Sequence, residues 1–193
     1  EDDGSCLEND CFGECGGSAV VDACGQCDGL IENVDDCGPI DDLFISEYIE
    51  GSSNNKAIEI YNGTGADVEL SSYILWRIIN GGVWPEESES LTGTLTAGDV
   101  HVVCKAVDIS AECDVPSDLI WTGDDAIGLA KDGVLIDAVG KAGVDPGNGW
   151  NVAGIFNATK NRALERKITA SGGNLNWDAS ADSEWDVHHE DDS

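Results

Sequence analysis

The chain has 193 residues, of which 41% are hydrophobic, and it carries 39 acidic against 9 basic side chains, a formal net charge of −30. A polyanion of this density repels phosphate backbones and anionic lipid headgroups, which argues against nucleic-acid and membrane-surface binding. No apolar run approaches the roughly 20 residues that span a bilayer, so we expect no membrane insertion. The chain has no methionine and opens on EDDGSC, which is typical of a mature chain whose leader has been removed, and we expect an extracellular protein.

The first feature in chain order is a cysteine-rich acidic stretch, which we expect to form a separate module at residues 1–39. Residues 1–42 contain thirteen acidic side chains and no Lys or Arg. A twelve-residue echo runs through it, because Asp10, Gly13, Cys15 and Gly17 recur as Asp22, Gly25, Cys27 and Gly29. Small residues at fixed offsets from aspartates predict repeated tight turns, each presenting a carboxylate.

The six cysteines of this stretch suit a zinc site, a redox centre or a set of disulfides. Only Cys24 and Cys27 have the C-x2-C spacing of zinc ligands, and no nearby His completes a set. A redox pair would open a helix, whereas CGQCDG is followed by a Gly/Asp-rich loop. A segment this small and polar buries too little apolar surface to fold unaided, which favours disulfides. Fifteen pairings are open among the six residues, namely Cys6, Cys11, Cys15, Cys24, Cys27 and Cys37.

Carboxylates on cross-linked turns predict a structural Ca²⁺ site in the same module. Hard cations take six to eight oxygens from carboxylates, carbonyls and water. The D-x-D-x-D-G calcium loop is absent, so solvated aspartates are the alternative. A second candidate cation site joins Glu47 and Glu59 on adjacent predicted strands with GDD at 123–125, where the aspartates are more typical of turn caps. The predicted calcium ligands are Asp10, Asp22, Asp28, Asp35 and Asp36.

Beyond CGPIDD (37–42), short apolar segments alternate with turn signals. They are rich in Val, Ile and Tyr, and none shows a sustained 3.6-residue period, so the pattern predicts an antiparallel sandwich or barrel with little helix. Cys104 and Cys113, nine positions apart, predict an intrachain disulfide that stabilises the fold by about 2–3 kcal/mol. The segments are residues 43–49, 56–62, 67–75, 98–105 and 125–140, with turns at Asn62-Gly63, Asn80-Gly81-Gly82 and Asp132-Gly133.

The histidines, cysteines and motifs argue against an enzyme. His101 lies in VHVV and is expected to face outward, while His188 and His189 lie in an acidic tail. Bonded cysteines leave no nucleophilic thiol, and neither a phosphate loop nor H-E-x-x-H is present. Two sequons on predicted turns, NGT and NAT, predict N-glycosylation at Asn62 and Asn157 in a eukaryotic secretory source.

Four segments after residue 43 carry a family resemblance. They are LFISEYIEGSSNNKAIEIYNGTGADVELSSYIL, TGTLTAGDVHVV, GDDAIGLAKDGVLIDAVG and DPGNGWNV…RALERK. Together they resemble a lamin-tail domain of the bacterial or secreted type over residues 43–187, which implies an immunoglobulin-like β-sandwich used for attachment or interaction. Ala163 departs from the Thr expected before LERK, and the Cys104/Cys113 pair is an addition. The earlier DCFGECGGSAVVDACGQCDG (10–29) resembles a repeat of extracellular proteins.

These observations predict an all-β chain. A small disulfide-rich, mostly irregular module (1–39) precedes an immunoglobulin-like β-sandwich (40–187) and an acidic tail (188–193). We expect a self-associating subunit of a surface appendage or filament, in which one subunit's extension docks head to tail on the next subunit's sheet. The alternative is a monomeric adhesion module of a larger cell-surface protein that recognises glycan or protein, with its binding face at Trp84, Trp121 and Trp150.

Overall fold

The computed structural model of the chain describes residues 17, 18, 20, 40–105 and 113–189. Two compact units divide the chain: Glu1–Pro39 with Ile168–Ser171, and Ile40–Lys167 with Gly172–Ser193. The described strands and helix belong to the second unit, and the account below concerns that unit alone. Two sets of predicted residues lie outside the described ones and stay predictions: the disulfide cysteines Cys6, Cys11, Cys15, Cys24, Cys27 and Cys37, and the calcium ligands Asp10, Asp22, Asp28, Asp35 and Asp36.

The described part of the second unit consists almost entirely of short strands. One helix, α1 (Trp177–Ser183), interrupts them, and a single 3₁₀ turn occupies Leu70–Ser72. Among the described residues no helix is long and apolar enough to cross a bilayer. The strands are β1 (Phe44–Glu50), β2 (Lys56–Tyr61), β3 (Val68–Glu69), β4 (Tyr73–Ile78), β5 (Glu87–Ser90), β6 (Thr94–Leu95), β7 (Val100–Cys104), β8 (Val115–Pro116), β9 (Ala126–Lys131), β10 (Val134–Val139), β11 (Arg162–Arg166) and β12 (Trp185–His189).

Two sheets form a β-sandwich, which confirms the predicted all-β class and the scarcity of helix. The larger sheet has the order β12-β11-β1-β2-β7-β8, and the smaller has the order β10-β9-β4-β5. A two-stranded ribbon joins β3 to β6. The pairing is antiparallel throughout the two sheets except between β7 and β8, which run parallel.

The core lies between the sheets because alternate residues of each strand point inward. In the larger sheet Tyr48 pairs with Leu164 on one side and Ile58 on the other, and all three are fully buried. In the smaller sheet Leu75 pairs with Leu129, and both belong to the same core cluster. Each such side chain contributes about 1.5–3 kcal/mol through burial, so the alternating pattern of the sequence holds the sandwich closed.

Two β-bulges bring a buried ion pair to the junction of the sheets. The register shifts between Ile45 and Glu47 in β1 and between Leu135 and Asp137 in β10. The fully buried carboxylate of Asp137 accepts hydrogen bonds from the Ile45 backbone N–H at 2.8 Å and from Arg166 Nη2 at 3.0 Å. The pair therefore ties β10 to β1 and β11.

The disulfide predicted between Cys104 and Cys113 is present, with the two Cα atoms 5.8 Å apart. It connects the end of β7 to the residues just before β8. Cys104 also belongs to a small apolar cluster with Ile49, Ala57 and Ala163. These residues lie on the outer face of the larger sheet, opposite the main core.

The structure corrects two predictions about the histidines. His101 does not face outward: it is only 8% exposed and lies on the inward side of β7, in register with Ile60. Burial lowers the pKa of His101, and the carboxylate of Asp114, 3.8 Å away, opposes that shift. His188 and His189 are not in a free tail, because they are the last two residues of β12 and pair with β11.

Candidate functional site

The outer face of the smaller sheet is uncharged along all four strands. Leu75 and Leu129 point into the core, so their neighbours in sequence point outward. The outward residues are all apolar or serine, although a quarter of the chain is charged. We call this surface the apolar face, and its central residues are Ile74, Trp76, Ser88, Ser90, Gly128, Ala130, Leu135 and Ala138.

Trp84 lies across the middle of the apolar face. A Cβ atom placed on Gly128 would come within 2.5 Å of Leu135 Cδ1 and 3.2 Å of Trp84 Cη2, so both side chains pack directly over that glycine. Trp84, Trp76 and Leu135 remain half-buried. Half-buried aromatic rings on a sheet face without charged residues have the composition of a contact surface rather than of ordinary solvated surface. Gly128, Ala130 and Ala138 at the centre of the face are themselves buried, so Trp84, Trp76 and Leu135 are the side chains that it presents.

The outer face of the larger sheet has the opposite character. Strand register aligns four acidic residues in one row across it, because Glu47 pairs with both Glu59 and Glu165, and Glu165 pairs with Asp186. Lys167 Nζ lies 3.9 Å from Asp186 Oδ1 and offsets part of this charge, and His188 Nε2 lies 3.2 Å from Glu165 Oε2.

Neither group of acidic residues that we considered in the sandwich forms a cation site. Glu47 and Glu59 are neighbours, as predicted, but among the described residues no three His, Cys, Asp or Glu side chains gather closely enough to hold a metal ion. Asp125 accepts hydrogen bonds from the backbone N–H groups of Thr122 and Asn80. Asp124 accepts one from the Thr122 hydroxyl. These two aspartates therefore cap turns.

A cleft of about 400 Å³ lies between α1 and the segment that precedes β11. Its floor includes the edges of Trp150 and Trp177, whose ring centroids lie 6.1 Å apart. Phe156 stands at its rim with 76% of its surface exposed. Its lining residues are Pro146, Gly149, Trp150, Asn151, Phe156, Asn157, Trp177, Asp178, Ala181 and Asp182.

The three tryptophans expected to form one binding face are not together. Trp121 is 1% exposed, and its Nε1 donates to the Ile49 carbonyl, so it is a core residue. Trp150 lines the cleft but is 6% exposed, and Trp84 lies on the apolar face. Sequence reasoning missed Trp76 and Phe156. The alternation around Leu75 places Trp76 outward, whereas no local pattern marks Phe156.

The two sequons occupy different environments, and both glycosylations stay predictions. Asn62 is fully buried, and its Nδ2 donates to the carbonyls of Ala66 and Leu95. A glycan on that nitrogen would break these bonds, so the fold disfavours modification at Asn62. Asn157 is half-buried and lines the cleft, so it is the more accessible of the two.

The fold and these surfaces define a β-sandwich of the immunoglobulin-like type, used as a binding or structural module. The lamin tail domain family matches residues 38–143, more than half of the chain. The chain belongs to the lamin tail domain family. This match begins near the resemblance at residue 43, does not extend to residue 187, and includes none of the six cysteines of the cysteine-rich stretch. None of the curated proteins compared with the chain matches it.

Proposed function

We propose that this chain is a non-catalytic extracellular structural protein whose copies associate head to tail into a surface appendage or filament. The observation that carries the proposal is the apolar face, which leaves Trp76 and Trp84 half-buried on a sheet face without charged residues. The family supports the coarser role, because a lamin tail domain is a non-catalytic immunoglobulin-like fold.

The occupant that we propose for the apolar face is the segment 1–39 of a neighbouring copy. That segment carries eleven acidic side chains and no basic one, so the acidic row of the larger sheet would repel it. The apolar face has no acidic side chain among its outward residues, so it does not repel the acidic segment 1–39. The segment also offers apolar side chains to place against the tryptophans, among them Phe12, Leu30 and Ile31. Docking of this kind is heterologous and does not close, so it propagates as a filament.

In this proposal disulfides stabilise the subunit, and Ca²⁺ prepares segment 1–39 for docking. The Cys104–Cys113 bond supports an oxidising, extracellular location, since disulfides rarely persist in the cytosol. Ca²⁺ held by the aspartates of residues 1–39 would neutralise and order that segment, and so let it dock. Assembly is therefore expected to depend on calcium.

The test measures the particle size of the full chain by light scattering and by negative-stain electron microscopy. We expect filaments in millimolar Ca²⁺ that shorten or disperse when a chelator is added. The variants Trp76→Thr and Trp84→Ser should reduce assembly at least tenfold, because each removes aromatic area from the apolar face. Leu175→Ala is the matched control, since Leu175 is a 55% exposed apolar residue outside that face.

Two results would overturn the proposal. One is a strict monomer in millimolar calcium. The other is full assembly by both tryptophan variants. A closed dimer that the same variants abolish would instead assign the apolar face to isologous pairing of two copies and would reject the head-to-tail arrangement.

A further inference from the structure

The cleft beside α1 is bounded by a strained hairpin. Val152 and Ile155 form a β-bridge, and the two residues between them, Ala153 and Gly154, have φ angles of 49° and 75°. The backbone N–H of Ala153 donates to the Ala181 carbonyl of α1 at 2.8 Å, which fixes the hairpin against the helix. A left-handed φ is strained for alanine, and such strain is concentrated at functional sites.

The hairpin delivers an aromatic ring into solvent at the rim of the cleft. Phe156 follows it directly, and 76% of the ring is exposed. The floor beneath consists of the edges of Trp150 and Trp177, which are 6% and 3% exposed. A pre-formed cleft of about 400 Å³ with an apolar floor and an exposed aromatic rim has the size and lining of a small-ligand site.

Polar groups whose hydrogen-bonding capacity is only partly used by the described residues lie around this apolar floor. Asn151 Oδ1 accepts a hydrogen bond from the Asn157 backbone N–H, which leaves the Asn151 Nδ2 group for a ligand. Neither the Asn157 side-chain amide nor the Asp182 carboxylate has a partner among the described residues. Both oxygens of Asp178 accept from Lys141 Nζ, at 2.6 and 2.7 Å, so that carboxylate is already neutralised.

The lining selects a neutral, hydroxyl-rich ligand with an apolar side. Two amides donate and accept hydrogen bonds, and the Asp182 carboxylate accepts only, which suits hydroxyl groups that do both. A phosphate or sulfate would be repelled by Asp182 and by the chain's charge of −30. A purely apolar ligand would desolvate these polar groups without pairing them.

We propose that this cleft binds a neutral saccharide, which stacks a C–H face on Phe156 and directs hydroxyl groups to Asn151, Asn157 and Asp182. The proposal is independent of assembly, because none of these residues lies on the apolar face. It also gives the strained hairpin a role, which is to hold Phe156 at the rim of the cleft.

The test uses the full chain, produced without N-glycans so that Asn157 is unmodified. An array of neutral oligosaccharides of glucose, xylose, mannose and N-acetylglucosamine is the probe, and titration calorimetry follows on any that bind. We expect at least one neutral oligosaccharide to bind, with affinity reduced tenfold or more by Phe156→Ala and by Asp182→Asn. Val134→Ala is the matched control, because Val134 is 66% exposed and lies on β10, outside the cleft lining.

Three results would overturn the assignment. The first is an array without a neutral saccharide that binds. The second is binding that Phe156→Ala leaves unchanged. The third is binding of a lysine-rich peptide, with no saccharide bound, that the Asp182→Asn variant abolishes. That result would make the cleft a peptide-binding site. The particle size of Phe156→Ala is measured in parallel: we expect it to match the wild type, so that a failure of the saccharide site and a failure of assembly are told apart.

Discussion

At the scale of single residues, Asp137 is the side chain that makes most of the hydrogen bonds at the junction between the two sheets. Its carboxylate receives hydrogen bonds from the backbone N–H groups of Ile45, Ala138 and Asn174 as well as from Arg166. The Arg166 guanidinium lies 4.4 Å from the Trp185 ring centroid and donates to the Gly172 carbonyl. One carboxylate thus satisfies donors from both sheets and from the segment before α1.

We predict that Asp137→Asn costs about 3 kcal/mol, because it leaves the buried Arg166 without its nearest counter-charge. Urea unfolding followed by circular dichroism measures the loss. Asp178→Asn is the matched control: it breaks the exposed Lys141–Asp178 pair and should cost less than about 1 kcal/mol. An equal loss of unfolding free energy in the two variants would show that the buried Asp137 pair contributes no more to stability than an exposed ion pair.

Residue environments were the part of the structure that sequence predicted least well. Asn62 precedes a glycine and has the composition of an exposed turn, yet long-range contacts bury it, with Leu95 accepting one of its hydrogen bonds. Trp121 directly precedes the polar turn segment TGDD and follows the 43% exposed Ile120, yet it is only 1% exposed. In each case the deciding neighbour lies far away in the chain, where no local pattern reports it.

At the scale of elements, the strands that sequence predicted are those with an apolar inward side. The hairpin of β9 and β10 is an example, since Asp132 and Gly133 have φ angles of 49° and 78°, the turn that Asp-Gly favours. In contrast, β5 reads ESES and β12 reads WDVHH. Both lie at the edge of a sheet and are defined by backbone pairing with one neighbouring strand. Their sequences show little alternation of apolar and polar residues, so the sequence alone does not indicate them as strands. The helix α1 has seven residues, about two turns, which is too short for a sustained 3.6-residue pattern to stand out in the sequence.

The disulfide acts at this scale, because it attaches the two-residue strand β8 to β7. We predict that the double variant Cys104→Ala/Cys113→Ala loses about 2–3 kcal/mol, the value expected for a loop of this length. Denaturant unfolding of the purified variant measures the change. Reduction of the wild type is unsuitable, since it would also reduce the disulfides that we predict among the six cysteines of residues 1–39. A variant as stable as the wild type would mean that β8 holds its place through backbone pairing alone.

At the scale of the whole molecule, charge is the dominant feature. All nine basic residues lie in residues 40–189, and most are engaged with carboxylates, including Lys56 with Glu50 and Lys131 with Asp42. The remaining acidic side chains repel one another at low ionic strength.

We therefore predict that the thermal midpoint of unfolding rises by several degrees between about 0.01 M and 1 M NaCl, over which the screening length falls from about 30 Å to about 3 Å. The scan is followed by circular dichroism with a chelator present, so that sodium acts by screening without calcium. A matched series in a neutral solute controls for general solvent effects. A midpoint that stays constant or falls with salt would show that repulsion is already compensated in the fold.

The strand order of the larger sheet has a mechanical consequence. β11 lies between β1 and β12 and runs antiparallel to both, so β1 and β12 run in the same direction. The chain enters the sandwich at the start of β1 and leaves it after the end of β12, at opposite ends of these strands. Tension applied between the start of β1 and the end of β12 would then load β11 in shear, and the hydrogen bonds along one of its edges must fail together rather than one after another. A domain with this strand order resists a pulling force directed along its strands. A filament whose subunits were aligned in that direction would be strained along the same line.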